Sequence, residues 1–256
     1  MRAGLLALLL IATPAAAGAH DTWLLPNTMK GEPAQVAEWC MTSGMAFPQP
    51  DTRPKPDRVA WFMARNGTPI GEGDLDDDCP GALRFQTLPT HDGVAVFAVS
   101  LKPHDIDLGA GQVDDYLAEA DPPAAVRDAW AALGVWRETY VKNAKALICV
   151  GDCLQGREAM TAVGAGLEFV PLEPGPHPTR FTLLAGGKPL AGQTVLLVLG
   201  GGLERKLHTD SAGALVLPAG LSGTIMLSTV WLRAPADPVA RFFSDFASIV
   251  FEAAPK

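Results

Sequence analysis

Hydrophobic and polar positions alternate in short runs along most of this chain, and Gly, Pro, Asn and Asp separate the runs. Residues 35–41 alternate, and in residues 58–64 Val59, Trp61 and Met63 share one face; Asn66-Gly67 supplies the turn that follows. Residues 82–87 and 93–101 predict two more strands, with Thr90-His91-Asp92-Gly93 as a hairpin-like turn between them. The middle changes character. Residues 114–119, then 124–146 after Pro122-Pro123, have helical composition, and Gly134 interrupts the second stretch. An apolar strand over 145–150 closes this part. From residue 168 the strand-and-turn pattern returns, over 181–184, 193–199, 206–210, 214–217, 223–232 and 247–252. No βα alternation is present, so a doubly wound sheet is excluded and a sandwich is expected. The pattern predicts a mainly β protein of two β-sandwich-like domains, residues 20–167 with a helical insertion and residues 168–256.

The first residues read differently. Met1-Arg2 is followed by an apolar run over 5–11, too short to span a bilayer, and then by Ala17-Gly18-Ala19. This is the form of a secretory signal peptide, residues 1–19, cleaved before His20. The protein is therefore expected to be periplasmic or secreted. The four cysteines fit that compartment. Three pairings are possible; Cys149 and Cys153 bracket a Gly-Asp turn, which favours Cys149–Cys153 and leaves Cys40–Cys79. A structural zinc site is disfavoured, because the close pair is spaced CxxxC and no second pair exists.

Composition narrows the function. The net charge of −8 argues against nucleic acid, and 48% hydrophobic residues exclude a disordered chain. No nucleophile elbow, His-Glu-x-x-His helix or phosphate-binding loop occurs, so an enzyme is not expected. Cleavage before His20 would join a free α-amine and an imidazole on one residue. Both deprotonate near neutral pH, with model values of about 7.7–8.0 and 6.5, and together they can chelate one ion. Asp21 follows directly. His91 beside Asp92, and His104 beside Asp105, are the further histidines that could complete a coordination sphere. For each of the two, a solvated turn residue is the favoured reading. His177 and His208 read as linker and surface. The polar cluster Arg137, Glu138, Tyr140, Lys142 and Lys145 places Glu138 and Lys142 four apart on one helical face, where ion pairing to the sheet is the favoured role. The Pro-rich residues 48–56 read as a surface loop, and residues 74–78 as a solvated acidic run lacking calcium-loop spacing.

Four segments carry a family resemblance: Ala-His-Asp-Thr-Trp-Leu-Leu-Pro at 19–26, Val-Asp-Asp-Tyr-Leu-Ala-Glu at 113–119, the run 137–146 starting Arg-Glu-Thr-Tyr-Val-Lys, and Phe-Ala-Ser-Ile-Val-Phe-Glu at 246–252. In that order they resemble family 4198 of domains of unknown function, exported bacterial proteins described as periplasmic components of cobalt and nickel uptake systems. The resemblance implies an N-terminal β domain followed by a sandwich like the regulatory domain of carboxypeptidases. It also implies a nickel or cobalt ion as ligand and a membrane metal transporter as partner. Met45 stands where relatives carry a histidine, a softer ligand that brings copper into the range of metals. The expected function is a metal-binding accessory protein for uptake, with His20, Asp21, His91 and His104 as ligands. The alternatives are a metal-free interaction or adhesion module and, less favoured, a copper oxygenase using the N-terminal histidine.

Overall fold

A computed structural model describes residues 21–73, 79–200, 202, 204–237 and 240–254. His20 and the acidic run 74–78 lie outside the described residues. In chain order the strands are β1 (Asp21–Pro26), β2 (Lys30–Gly31), β3 (Ala37–Gly44), β4 (Val59–Arg65), β5 (Thr68–Gly73), β6 (Leu83–Leu88), β7 (Gly93–Leu101) and β8 (His104–Leu108). Helices α1 (Ala110–Ala120) and α2 (Ala124–Leu133) follow, then the long β9 (Trp136–Val150). The remainder is β10 (Leu167–Pro171), β11 (Arg180–Ala185), β12 (Lys188–Pro189), β13 (Thr194–Leu199), β14 (Glu204–His208), β15 (Ala214–Val216), β16 (Gly223–Arg233) and β17 (Phe242–Ala253). The protein is mainly β, as its alternation predicts.

The strands form three layers. The middle one is a nine-stranded sheet in the order β14-β13-β16-β17-β9-β7-β4, with β2 and β8 also paired to β9. It joins the two halves of the chain, because β17 runs parallel to β9 from Phe242↔Glu138 to Val250↔Ala146. The sheet β1-β3-β6-β5 covers one face, where Trp23, Trp39, Phe85 and Phe97 pack with Ala146, Ile148 and Val250. The sheet of β10, β11, β12 and β15 covers the other, where Phe169, Phe181 and Phe251 pack with Val94, Val96 and Leu147. Alternate residues of β7 thus enter different cores: Val94 and Val96 one, Ala95, Phe97 and Val99 the other. Burial on both faces explains why β7 is almost continuously apolar. The helices close one end over Trp136 and Phe242. Among the described residues no helix is long and apolar enough to cross a membrane.

Two local expectations are corrected. Residues 136–144 are not helical; they begin β9, one strand of fifteen residues. Gly134 ends α2 in the left-handed region at φ 64°, which only glycine adopts at little cost, and the chain then extends. The segment mimics a surface helix in sequence because Glu138 and Lys142 are charged yet buried in interactions with other elements; Arg137 alone among its charged residues is exposed. The turn at Thr90–Gly93 is not a hairpin, since β6 and β7 belong to different sheets. It is the crossover from the covering sheet into the middle one.

Both favoured disulfides are present. Cys40–Cys79 ties β3 to the segment leading into β6, with Cα atoms 5.7 Å apart, and Cys149–Cys153 closes the turn after β9 at 5.3 Å. Cross-links of this kind belong to oxidising compartments. Opening Cys149–Cys153 with serines is expected to cost only about 2 kcal/mol, because the closed loop is short. A thermal melt of the double serine variant checks this.

Candidate functional site

The site is made by an irregularity in the pairing along β9. One edge of β9 is covered by β7 up to Ser100↔Asn143 and by β8 from His104↔Tyr140. Three residues, Leu101, Lys102 and Pro103, therefore stand opposite two, Val141 and Lys142. Such a bulge bends a strand and interrupts its ladder, and Pro103 contributes no N–H to restore it. The gap opens above Tyr140 and Lys142.

Residues 45–58 arch over this gap. Ser43 and Thr52 exchange backbone hydrogen bonds at 2.8 and 2.7 Å, and the Thr42 hydroxyl donates to the Gly81 carbonyl at 2.9 Å. At the far end the Lys102 N–H donates to the Arg58 carbonyl at 2.7 Å and the Arg58 guanidinium to the Lys102 carbonyl at 2.9 Å. Lys102 Nζ donates to the Asp57 carbonyl at 2.8 Å. Pro48, Pro50, Pro54 and Pro56 stiffen the arch between these clasps. Beneath it lies a cleft of about 440 Å³. Among the described residues its charged lining is Arg53, Lys55, Arg58 and Lys142 against one carboxylate, Asp57, with His104, Tyr140, Leu101, Pro54, Ser43 and Thr52 completing the wall.

The Tyr140 ring organises the floor. Arg58 lies 5.8 Å and Lys142 Nζ 5.5 Å from its centroid, and His104 meets it edge-on at 5.4 Å. Lys142 also sits 5.3 Å from the Phe246 ring. These cations are drawn to the ring faces while repelling one another. Burial brings the Lys142 ammonium down to about 8; Asp21 and Glu138 hold it up and Arg58 presses it further down. His104 is also held below the usual histidine range, by loss of hydration first and by Arg58 next, against the raising effect of Asp105. Its imidazole is neutral at pH 7. The site therefore presents positive charge with a neutral imidazole at one side, suited to acceptors rather than to a bare cation.

Two further polar groups of β9 are structural. Glu138 is buried and accepts hydrogen bonds from Trp136 Nε1 at 2.7 Å, from the Tyr116 hydroxyl at 3.1 Å and from the Ser244 hydroxyl. Burial raises its carboxyl above the ordinary range, while these donors and Lys142 act to lower it. It joins α1, β9 and β17. On the opposite face Lys145 is paired with Glu168 at 2.6 Å.

The sequence-predicted ligands are dispersed. Asp21 opens β1 opposite Gly44 and accepts a hydrogen bond from Ser228 at 3.0 Å. His104 starts β8 at the cleft. His91 precedes β7, an exposed residue whose Nε2 is 3.6 Å from Glu158 and whose Nδ1 meets the Thr90 hydroxyl at 3.0 Å. Nine residues of extended β7, roughly 30 Å, separate His91 from His104, so the two cannot share one ion. Asp21 belongs to the His104 end through its influence on Lys142. Among the described residues no three of His, Cys, Asp and Glu come close enough to hold a metal. The cleft cations escape sequence reasoning because Arg-Pro-Lys-Pro-Asp-Arg at 53–58 reads as a solvated loop. The one available signal is the alternation of cations with prolines, which fixes their directions.

The architecture is that of a mainly β protein of several packed sheets, with a positively charged cleft at a bulged strand. The chain belongs to the domain of unknown function family DUF4198, whose family model matches residues 17–232. The match takes in every residue of the cleft and ends within β16. No curated protein matches the chain.

Proposed function

We propose that this is an exported, non-catalytic accessory protein of the periplasm. It binds a transition-metal ion, nickel or cobalt with copper as the third option, and passes it to a membrane metal transporter. His20 supplies the α-amine and imidazole once the signal peptide is removed, and Asp21 is the adjacent carboxylate. One observation carries the reading. Asp21, to which His20 is covalently joined, is anchored by the β1–β3 ladder and by the Ser228 hydroxyl, so the expected chain start is attached to the edge of a rigid sheet. Chain ends not tied down in this way fray. His104, neutral at pH 7, and Asp21 both interact electrostatically with Lys142, whereas His91 lies beyond the other end of β7. The positive cleft opposes a bare cation, so the nitrogen ligands of His20 have to dominate affinity.

Calorimetry with Ni(II) and Co(II) on the processed protein tests this. Adding one residue before His20, which removes its amine from the chelate, is expected to weaken binding at least tenfold, as is His20→Ala. Affinity should also fall as pH drops below about 6.5, where both nitrogens are protonated. Equal affinity in the extended protein overturns the reading.

A further inference from the structure

The metal reading uses only His104 of the cleft beneath residues 52–58, and the chemistry of the other lining residues points to ligands of the opposite sign. A chain of net charge −8 has gathered four cationic side chains around one hollow. Two of them, Arg58 and Lys142, both lie against the Tyr140 ring and repel one another. An anion entering between them would relieve that repulsion.

Size and wall chemistry narrow the class. A volume of about 440 Å³ lies within the range of small-molecule sites, and Leu101, Pro54 and the Tyr140 ring give the cleft apolar surface beside the charges. Phosphate sites draw on converging backbone N–H groups at helix N-termini or nests. Here Pro54 carries no N–H, and the charged donors are side chains spread around the wall. Guanidinium forks match carboxylates and phosphates alike, so the volume and the apolar wall, more than the forks, favour an organic anion over inorganic phosphate. We propose that this cleft binds a small organic anion with at least two carboxylates, held by Arg58 and Lys142 on the floor and by Arg53 and Lys55 nearer the rim. These four cations are none of the residues assigned to the metal, although His104 lines the same cleft and Asp21 acts on Lys142.

Titration calorimetry with citrate and succinate, and with inorganic phosphate and sulfate as comparisons, tests the assignment on metal-stripped, processed protein. Citrate is expected to bind, and Arg58→Gln and Lys142→Met each to weaken it at least tenfold. Lys30→Met, the same charge change away from the cleft, should leave it unchanged. His20→Ala should also leave it unchanged, which separates this site from the metal reading. Affinity should fall several-fold between pH 7 and pH 9 as Lys142 loses its proton among Asp21, Glu138, Arg58, Tyr140, His104 and Asp57, and this fall should vanish in Lys142→Met. Thermal melts establish that each variant is folded; Met fills the Lys142 position without a charge, so that variant decides the matter if Arg58→Gln does not fold. The proposal is overturned by no heat from citrate or succinate at millimolar concentration, by binding indifferent to Lys142→Met, by binding lost in His20→Ala, or by phosphate binding as tightly as citrate.

Discussion

Glu168→Ala is expected to destabilise the protein by about 3–5 kcal/mol. Lys145 and Glu168 are 4% and 3% exposed, with Nζ and Oε2 2.6 Å apart, so neither charge is compensated by water. Lys145 Nζ also donates to the Phe169 carbonyl at 2.8 Å, and Glu168 accepts from the backbone N–H groups of Val163 and Gly164, both at 2.9 Å. Removing the carboxylate therefore strands a buried ammonium and two backbone donors together. For a chain of this size the loss corresponds to roughly 10 °C or more in Tm. Burial already holds the Lys145 ammonium below the ordinary lysine range, and Glu168 opposes that. Without Glu168 the value must fall further, so the variant should regain part of its deficit as pH is raised and the ammonium is neutralised. The double variant Lys145→Met/Glu168→Leu should recover most of the loss, because a buried pair replaced by apolar groups is close to neutral. Urea titration of the three variants at pH 7 and pH 9 checks both statements; a single variant within 1 kcal/mol of the parent refutes the first.

That pair also shows where sequence reasoning reaches its limit. Strands such as β7 and β13 were legible because burial on one or both faces imposes alternation or continuous apolarity, and α2 was legible through Pro123 and Gly134. The cysteine pairs were legible because the Cys149–Cys153 turn leaves a single partner for Cys40. The first half of β9 was not. Glu138, Lys142 and Lys145 look solvated in sequence, and only the partners brought by α1, β1, β17 and β10 explain their burial. Those partners come from remote parts of the chain, so no local pattern encodes them. The candidate site was illegible for a related reason. His91 and His104 are thirteen positions apart in sequence, which hides the fact that a straight strand holds them at opposite ends. The cleft itself depends on a one-residue mismatch between β7–β8 and β9 and on an arch clasped by Ser43, Thr52, Arg58 and Lys102. Each component is an ordinary loop or strand residue until the register is known.

Lys142→Met is expected to have the opposite effect on stability from Glu168→Ala. The two lysines lie on opposite faces of β9, and their surroundings differ. Lys145 is paired with Glu168 at 2.6 Å, whereas the ammonium of Lys142 lies near the Tyr140 and Phe246 rings, with Arg58 sharing the Tyr140 ring, and Asp21 and Glu138 only partly oppose the effect of its burial. Its fall from 10.5 to about 8 means that carrying the charge at pH 7 costs the folded state on the order of 3 kcal/mol. Met has similar reach, no charge, and packs well on aromatic rings. The variant should therefore be more stable at pH 7 by about 2–3 kcal/mol, or roughly 4–10 °C in Tm. The pH dependence fixes the cause. Between about pH 8 and 10.5 the folded parent binds fewer protons at this position than the unfolded chain, so its stability rises with pH through that window. The stability difference between variant and parent should shrink over the same window and be nearly gone at its upper end. Lys142 also lines the cleft, so the same substitution reports on anion binding. The two readouts are therefore coupled: the variant that melts later should be the one that no longer binds citrate. A Lys142→Met protein less stable than the parent at pH 7 would show that the ammonium is a structural tie through Asp21 and Glu138.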